Sequence, residues 1–368
     1  MKKIFLIINL IFLSVLFSAC DVVDKNPNDE VLKRQDVAIS AMHTFIGGRI
    51  FTEDSKWLNI FNELKEMFQT YHELTDNFQG YDNVVGVYYI NNLVETTKED
   101  QIVEIKKELY DLLQLGLEIT NLTNGYFNMS MGKIIDVWKD LMEEYDVGEV
   151  VSQSAIDQTI VKANAIEIIE DAILLSTNNN KYYVTLKYGA KIDLGAIAKG
   201  YVTQKAVDYI KDKGYIQYLI NSGQSSIAYG QDNYRSKDGT FSFGLINPMD
   251  YVLNSNIIGY EAKNYAIYKG INGVLTTSGS YLQYIESDEV WYHHIISPVT
   301  KKPENYYMTL TVIGSDAGYM DALSTAMFSM PPGELEIFLN ENKVETYTYL
   351  FNNTFKTYNQ SSGFEVLS

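Results

Sequence analysis

The sequence predicts an α+β domain, and three observations carry that prediction. Apolar residues recur at helical spacing in two long stretches, 55–75 and 196–212. Short alternating runs broken by polar turns fill much of 159–192 and 240–313, in the manner of antiparallel strands. Helices and strands are interspersed without an internal repeat or a low-complexity linker, so one large mixed α/β domain is expected. With 46% hydrophobic and 13% aromatic residues, the chain has the composition of a packed protein rather than a disordered one. A formal charge of −18 argues against a nucleic-acid partner and against electrostatic attachment to anionic lipid.

The elements follow in order. Lys2 and Lys3 precede an apolar run from Ile4 to Phe17, which is too short for a good membrane span and reads as an export signal. Leu16-Phe17-Ser18-Ala19-Cys20 resembles a bacterial lipobox, and Cys20 is the only cysteine in the chain. Residues 1–20 are therefore read as a lipoprotein signal peptide. Cys20 would be lipidated and hold the protein on the extracytoplasmic face of the cell membrane; an ordinary signal with an incidental cysteine is the alternative. Residues 21–38 are polar and form a tether, leaving 39–368 as the domain. Ile39 to Phe51 is expected to be a strand with a turn at Gly47-Gly48. A helix over 55–75 buries Leu58, Phe61, Leu64, Met67 and Phe68, and a loop rich in Asn, Gly and Tyr occupies 75–94. Thr97 is a candidate N-cap for a second helix with Ile102, Ile105, Leu109, Leu112 and Leu113 on its buried face, ending near Asn124-Gly125. Helical residues around 131–145 precede the β-like runs of 159–192. In the helix over 196–212, Ala198, Val202, Ala206 and Ile210 lie four apart and Gly214 closes it; Tyr215 to Ile220 reads as a strand. A short helix covers 321–330 before Pro331-Pro332.

Three segments carry chemistry. In KIDLGAIAKG, from Lys191 to Gly200, a glycine at a strand-to-helix junction allows close ligand approach, and helix N-termini attract anions. Lys199 in the first turn is unfavourable unless it meets an anion, which hints at phosphate; a solvated lysine fits the spacing equally. Two of the four histidines, His293 and His294, are adjacent, and on a strand they face opposite ways. One could be a general base, although a structural histidine is the commoner reading. In MDALSTAMFSM, Asp321 and Thr325 share a helix face and offer oxygen ligands suited to Mg2+, whereas Asp321 as a helix N-cap is the plain alternative.

Together these segments resemble the ApbE family of FAD:protein FMN transferases. KIDLGAIAKGYVTQKAVDYI, INSGQSSIAYG, TTSGSYLQY, YHHIISPVTKK and TLTVIGSDAGYMDALSTAMFSM occur in the family's order and spacing. Ala41-Met42-His43-Thr44, the stretch from His72 to Asn91 and that from Thr123 to Trp138 extend the resemblance across about 40–368. The resemblance implies an enzyme that splits FAD, places FMN on a Thr or Ser of an extracytoplasmic acceptor protein and releases AMP. Asp321 and Thr325, with the Ala196 carbonyl, would hold Mg2+ or Mn2+. Lys199 would hold the dinucleotide and His294 would take the acceptor proton. Met42, Asn128, Asn221, Ser222, Gly223 and Ser278 would contact the cofactor.

Several positions depart from the family pattern. Asn128, Gln204 and Ser297 stand where the family usually has Asp, and its Gly-Gly-Asp loop reads Gly223-Gln224-Ser225; Lys301 replaces a glycine. Four lost carboxylates keep open a flavin-binding lipoprotein or an FAD pyrophosphatase with a degenerate transfer site. A generic solute-binding lipoprotein would have no need of Asp321.

Overall fold

The computed structural model describes residues 31–367. The chain divides into a unit of residues 1–31 and a unit of residues 32–368, and the second is the domain described below. Cys20 and the signal run lie outside the described residues, as does most of the 21–38 stretch.

The first element corrects the sequence reading. Strand β1 (Lys33–Ala41) begins inside the stretch expected to be a tether, and it pairs with β2 (Thr44–Thr52). The turn falls at Met42 and His43, both at positive φ (55° and 54°), not at Gly47-Gly48, which lie inside β2. Two central residues at positive φ match the right-handed twist of a hairpin, so the chain reverses here, ahead of the glycine pair where the sequence suggests a turn. Helix α1 (Asp54–Thr75) follows, burying Ile60, Leu64, Phe68, Tyr71 and Leu74; Leu58 faces water instead. Residues expected to form a loop contain α2 (Val87–Thr97), whose stripe of Val87, Ile90 and Val94 is diluted by intervening Tyr and Asn. Thr97 ends this helix rather than capping the next, and Lys98 closes it in the left-handed conformation. Ile102 and Ile105 then belong to a strand, β3 (Gln101–Ile105), before α3 (Lys107–Leu122) begins.

Helices α4 (Gly132–Met142) and α5 (Gln153–Asn164) come next; α5 occupies the start of the region expected to be β-rich. Strand β5 (Lys181–Leu186) pairs with β3 on one side and with β4 (Ile173–Asn178) on the other, forming a small sheet. Helix α6 (Ala198–Asp212) leads to β6 (Tyr218–Ser222) and β7 (Ser226–Tyr229). Then come β8 (Phe241–Ile246), a short α7 (Pro248–Asn254), β9 (Asn264–Gly270) and β10 (Gly273–Gly279). The hairpin of β11 (Tyr284–Ser287) and β12 (Val290–His293) precedes β13 (Thr309–Gly314), α8 (Ala317–Phe328) and α9 (Pro332–Asn342). The chain closes with β14 (Glu345–Tyr349), β15 (Phe355–Tyr358) and β16 (Phe364–Val366).

Eight strands form one antiparallel sheet in the order β1-β2-β6-β7-β10-β13-β14-β15. Alternation along each strand sends neighbours to opposite faces. On β10, Val274 joins the core shared with α1, α3, α6 and α8, while Leu275 joins an aromatic cluster on the other face. That second face is covered by the β16-β9-β8 sheet, through Phe241, Tyr265, Tyr268 and Phe364. The main sheet is thus buried on both sides, which fits the predicted α+β class. No described helix is long and apolar enough to cross a membrane.

Candidate functional site

Strand parity builds the floor of the site. Ser222 shares a face with Ile220, Ser226 with Ala228, and Thr276 and Ser278 with Val274, all on the side that meets the helices. Register then aligns them, because Ser222 pairs with Ser226 and Ser226 with Thr276. Small buried hydroxyls at neighbouring positions must find partners, and they find them on α6 and α8. The Ser222 hydroxyl lies 2.6 Å from that of Thr203, and Ser278 Oγ lies 2.9 Å from Ser324 Oγ. Ser226 donates to Asp321 Oδ1 at 3.1 Å.

Asp321 is the centre of this arrangement. It does not cap α8, since Asp316 does so by accepting from the Tyr319 amide. Asp321 instead lies within the helix, 5% exposed, and its Oδ2 accepts the Gly200 amide at 2.8 Å. Burial pushes its carboxyl above the usual range, while the Lys199 charge, the Gly200 amide and the Ser226 hydroxyl pull it down. Thr325, one turn on, donates its hydroxyl to the Asp321 carbonyl at 3.3 Å and keeps its own lone pairs. Each carboxylate oxygen takes one recorded hydrogen bond and has a second lone pair. The resemblance adds the carbonyl of Ala196, two residues before α6; carboxylate, hydroxyl and carbonyl together would be a hard-oxygen set that fits Mg2+ or Mn2+.

Lys199 stands in the first turn of α6, as the sequence suggests, and its Nζ donates to the Gly195 carbonyl at 3.1 Å. Its charge acts on both Asp321 and His294, which brings these three predicted residues into one electrostatic neighbourhood. The adjacent histidines separate as expected. His293 is fully buried; Nδ1 accepts the Ile295 amide at 3.2 Å, so Nε2 carries the hydrogen and faces the Glu304 carbonyl at 3.2 Å. Desolvation pushes His293 down to about 3, which makes it a neutral structural group. His294 has solvent access, and its Nδ1 lies 3.4 Å from the Gln283 carbonyl. A carbonyl can only accept, so Nδ1 carries the hydrogen and Nε2 keeps its lone pair. The surrounding protein and the Lys199 charge lower the His294 pKa, opposed by the bond to Gln283.

The remaining predicted positions divide into two groups. Met42 sits in the β1–β2 turn and Asn221 and Gly223 at the β6–β7 turn; the Gly223 amide donates to the Phe45 carbonyl at 3.2 Å, so these turns are neighbours. A Cβ at Gly223, where φ is 66°, would meet Thr44 Oγ1 at 2.6 Å, so the two hairpins require glycine there. Asn221 accepts the Gln224 amide at 3.0 Å. Ser222 and Ser278 are buried, and their hydroxyls tie α6 and α8 to the sheet instead of facing a ligand. Asn128 accepts from the Ser130 amide and hydroxyl, both at 2.8 Å, beside backbone that pairs with residues 191–193.

The substituted positions also have structural employment. Gln204 accepts the Ala317 amide at 2.8 Å and donates to Asp208, so it caps α8. The Ser297 backbone pairs with Lys301 and Lys302, and Lys301 takes a positive φ of 57° in place of glycine. Sequence reasoning passed over Ser226, whose role comes only from register, and Asp193. Asp193 accepts from Asn77 Nδ2 at 2.6 Å and from the Gly195 amide at 2.8 Å, fixing the loop before α6.

Comparisons with known proteins agree with this architecture. A sequence model of the ApbE family matches residues 42–348. An FAD:protein FMN transferase of Klebsiella pneumoniae is 25% identical over 230 residues, covering 62% of this chain and 64% of that protein. Another, from Treponema pallidum, is 25% identical over 228 residues, 61% of this chain and 60% of its own length. The match therefore spans less than two thirds of these two relatives. The solved ApbE protein of Thermotoga maritima superposes with a TM-score of 0.68 at 22% identity, covering 89% of this chain and 97% of that one. The flavin transferase ApbE from Vibrio cholerae gives 0.65 at 18% identity, covering 90% and 98%. With the family match running from the Met42 turn through α8 to β14, the chain belongs to the ApbE family.

Proposed function

We propose that this protein is a metal-dependent FAD:protein FMN transferase acting on a Thr or Ser of an extracytoplasmic acceptor protein. The observation that carries the reading is the buried Asp321 carboxylate, held by the Gly200 amide and the Ser226 hydroxyl beside Lys199. A desolvated carboxylate is costly unless it is paired and hydrogen-bonded, and a bound cation would add the pairing that two hydrogen bonds do not supply. The names borne by the Klebsiella and Treponema relatives support the same reaction.

In this reading the bond between the FMN phosphorus and the bridging oxygen of FAD breaks, the acceptor oxygen bonds to that phosphorus, and AMP leaves. Asp321, Thr325 and the Ala196 carbonyl would hold a divalent ion, which would supply charge neutralisation on the diphosphate. Lys199 adds a second positive charge to the same anion. His294 takes the acceptor hydroxyl proton on Nε2, because its Nδ1 is committed to the Gln283 carbonyl and its lowered pKa keeps it neutral. The Met42 and Asn221–Gly223 turns border the flavin or adenosine. The run ending at Cys20 supports lipid attachment on the extracytoplasmic face of the membrane.

The test uses the full chain in detergent with FAD, Mg2+ and a Thr-bearing acceptor protein, following acceptor mass and AMP. A covalent FMN adduct that disappears with chelator is the expected result. AMP without an adduct would favour an FAD pyrophosphatase; saturable FAD binding with neither product would favour a flavin-binding lipoprotein, with the substituted carboxylates as the cause.

A further inference from the structure

We propose that His43, His72 and Asp76 form a second metal site, separate from the oxygen donors around Asp321 and suited to a divalent transition ion such as Zn2+. One potential ligand atom from each residue lies within 4.8 Å of the others. Two imidazoles and a carboxylate suit zinc and its neighbours, whereas an all-oxygen set suits Mg2+. The two sites thus differ in the ion they select.

Three pieces of local structure bring the ligands together. His72 lies in the last turn of α1, and Asp76, four residues on, donates its amide to the His72 carbonyl at 3.0 Å, which stacks the pair at the helix end. His43 comes from the β1–β2 turn. It holds a φ of 54°, a conformation that glycine or asparagine adopts more readily. Its Nε2 reaches Asp76 Oδ2 at 3.2 Å, and its ring meets His72 edge-on at 5.0 Å between centroids.

The carboxylate is already oriented. Asp76 Oδ1 accepts the Phe78 amide at 2.7 Å and the Gln79 amide at 3.2 Å, leaving Oδ2 turned toward the histidines. The Tyr81 hydroxyl donates to Oδ2 at 2.8 Å and lies 3.0 Å from His72 Nε2, so it bridges two of the ligands. Groups that orient ligands in this way are characteristic of built metal sites. The Asp76 side chain is fully buried while that of His43 is 57% exposed, so an ion enters from solvent and keeps an open coordination position. An ion here fastens the Met42–His43 turn to the end of α1. Asn77, the next residue, donates to Asp193 at 2.6 Å and so links this cluster to the loop that leads into α6, whose first turn carries Lys199.

The test is titration of the chelator-treated full chain in detergent with Zn2+ alone, in competition with a chromophoric chelator. We expect one equivalent bound at sub-micromolar Kd in the unaltered chain and in Asp321→Asn. Binding should weaken in His43→Asn and His72→Gln by more than the roughly 10- to 100-fold that losing an orienting group costs. Zn2+ should raise the melting temperature of the unaltered chain and of Asp321→Asn but not of the histidine variants. His43→Asn keeps a residue that tolerates positive φ, so its melting temperature without metal should match the unaltered chain and exclude misfolding. Equal binding in both histidine variants, loss of binding in Asp321→Asn, or no saturable binding in the micromolar range would each overturn the site.

Discussion

The Gly200 amide nitrogen lies 2.8 Å from Asp321 Oδ2, and no side chain fits between the helices that carry these residues. A Cβ at 200 would stand 2.2 Å from the Ala317 carbonyl oxygen and 2.4 Å from Asp321 Cβ. The contact joins α6 to α8 and aims the carboxylate in one stroke. Gly200→Ala must therefore push the helices apart, at a cost of about 1–3 kcal/mol. Urea denaturation should report that loss, and Mg2+ affinity should fall with it because Asp321 loses its position.

Asp321→Asn separates stability from function. Removing a buried charge relieves desolvation, while the amide oxygen can still accept from Gly200. In the absence of divalent ions the variant should melt at or above the temperature of the unaltered chain. It should also lose the Mg2+-dependent rise in melting temperature and the release of AMP. A variant with full Mg2+-dependent turnover would remove Asp321 from the metal site.

In the proposed reaction His294 should set the acid limb. Its pKa is lowered, so kcat/KM should reach its plateau below the usual imidazole range. Lys199→Met removes a charge that holds down both His294 and Asp321, so the acid limb should move to higher pH as overall activity falls. A pH–rate profile with an unmoved limb would disconnect Lys199 from these groups.

His293 makes the domain acid-sensitive. Folded, it stays neutral down to about pH 3, whereas the unfolded chain takes up a proton at the ordinary imidazole pKa. The unfolded state then binds more protons between these values, so stability is present above the unfolded pKa and is lost as pH falls. The slope contributed by this group approaches about 1.4 kcal/mol per pH unit. His293→Gln keeps a donor toward Glu304 but cannot titrate. Its stability should depend less steeply on pH in urea titrations between pH 6.5 and 4.

The sequence by itself determined the α+β class and helices α1, α6 and α8, and it singled out Lys199, Asp321, Thr325 and the histidine pair as candidates for the chemistry. These are local signals, because periodicity and motif spacing record which face of one element is buried. It was least legible where a turn or cap lacked its usual residue. Met42-His43 turns a hairpin without glycine, and Lys98 ends α2 without one, so the strand pair and the helix merged into neighbouring segments. Only the tertiary structure decided that Asp321 meets Gly200, 121 residues away, and Ser226, 95 residues away. The same holds for which histidine is buried and for the meeting of His43 with His72 and Asp76. Strand register and helix packing fix those contacts, and both depend on the simultaneous fit of many distant side chains rather than on any pattern within one segment.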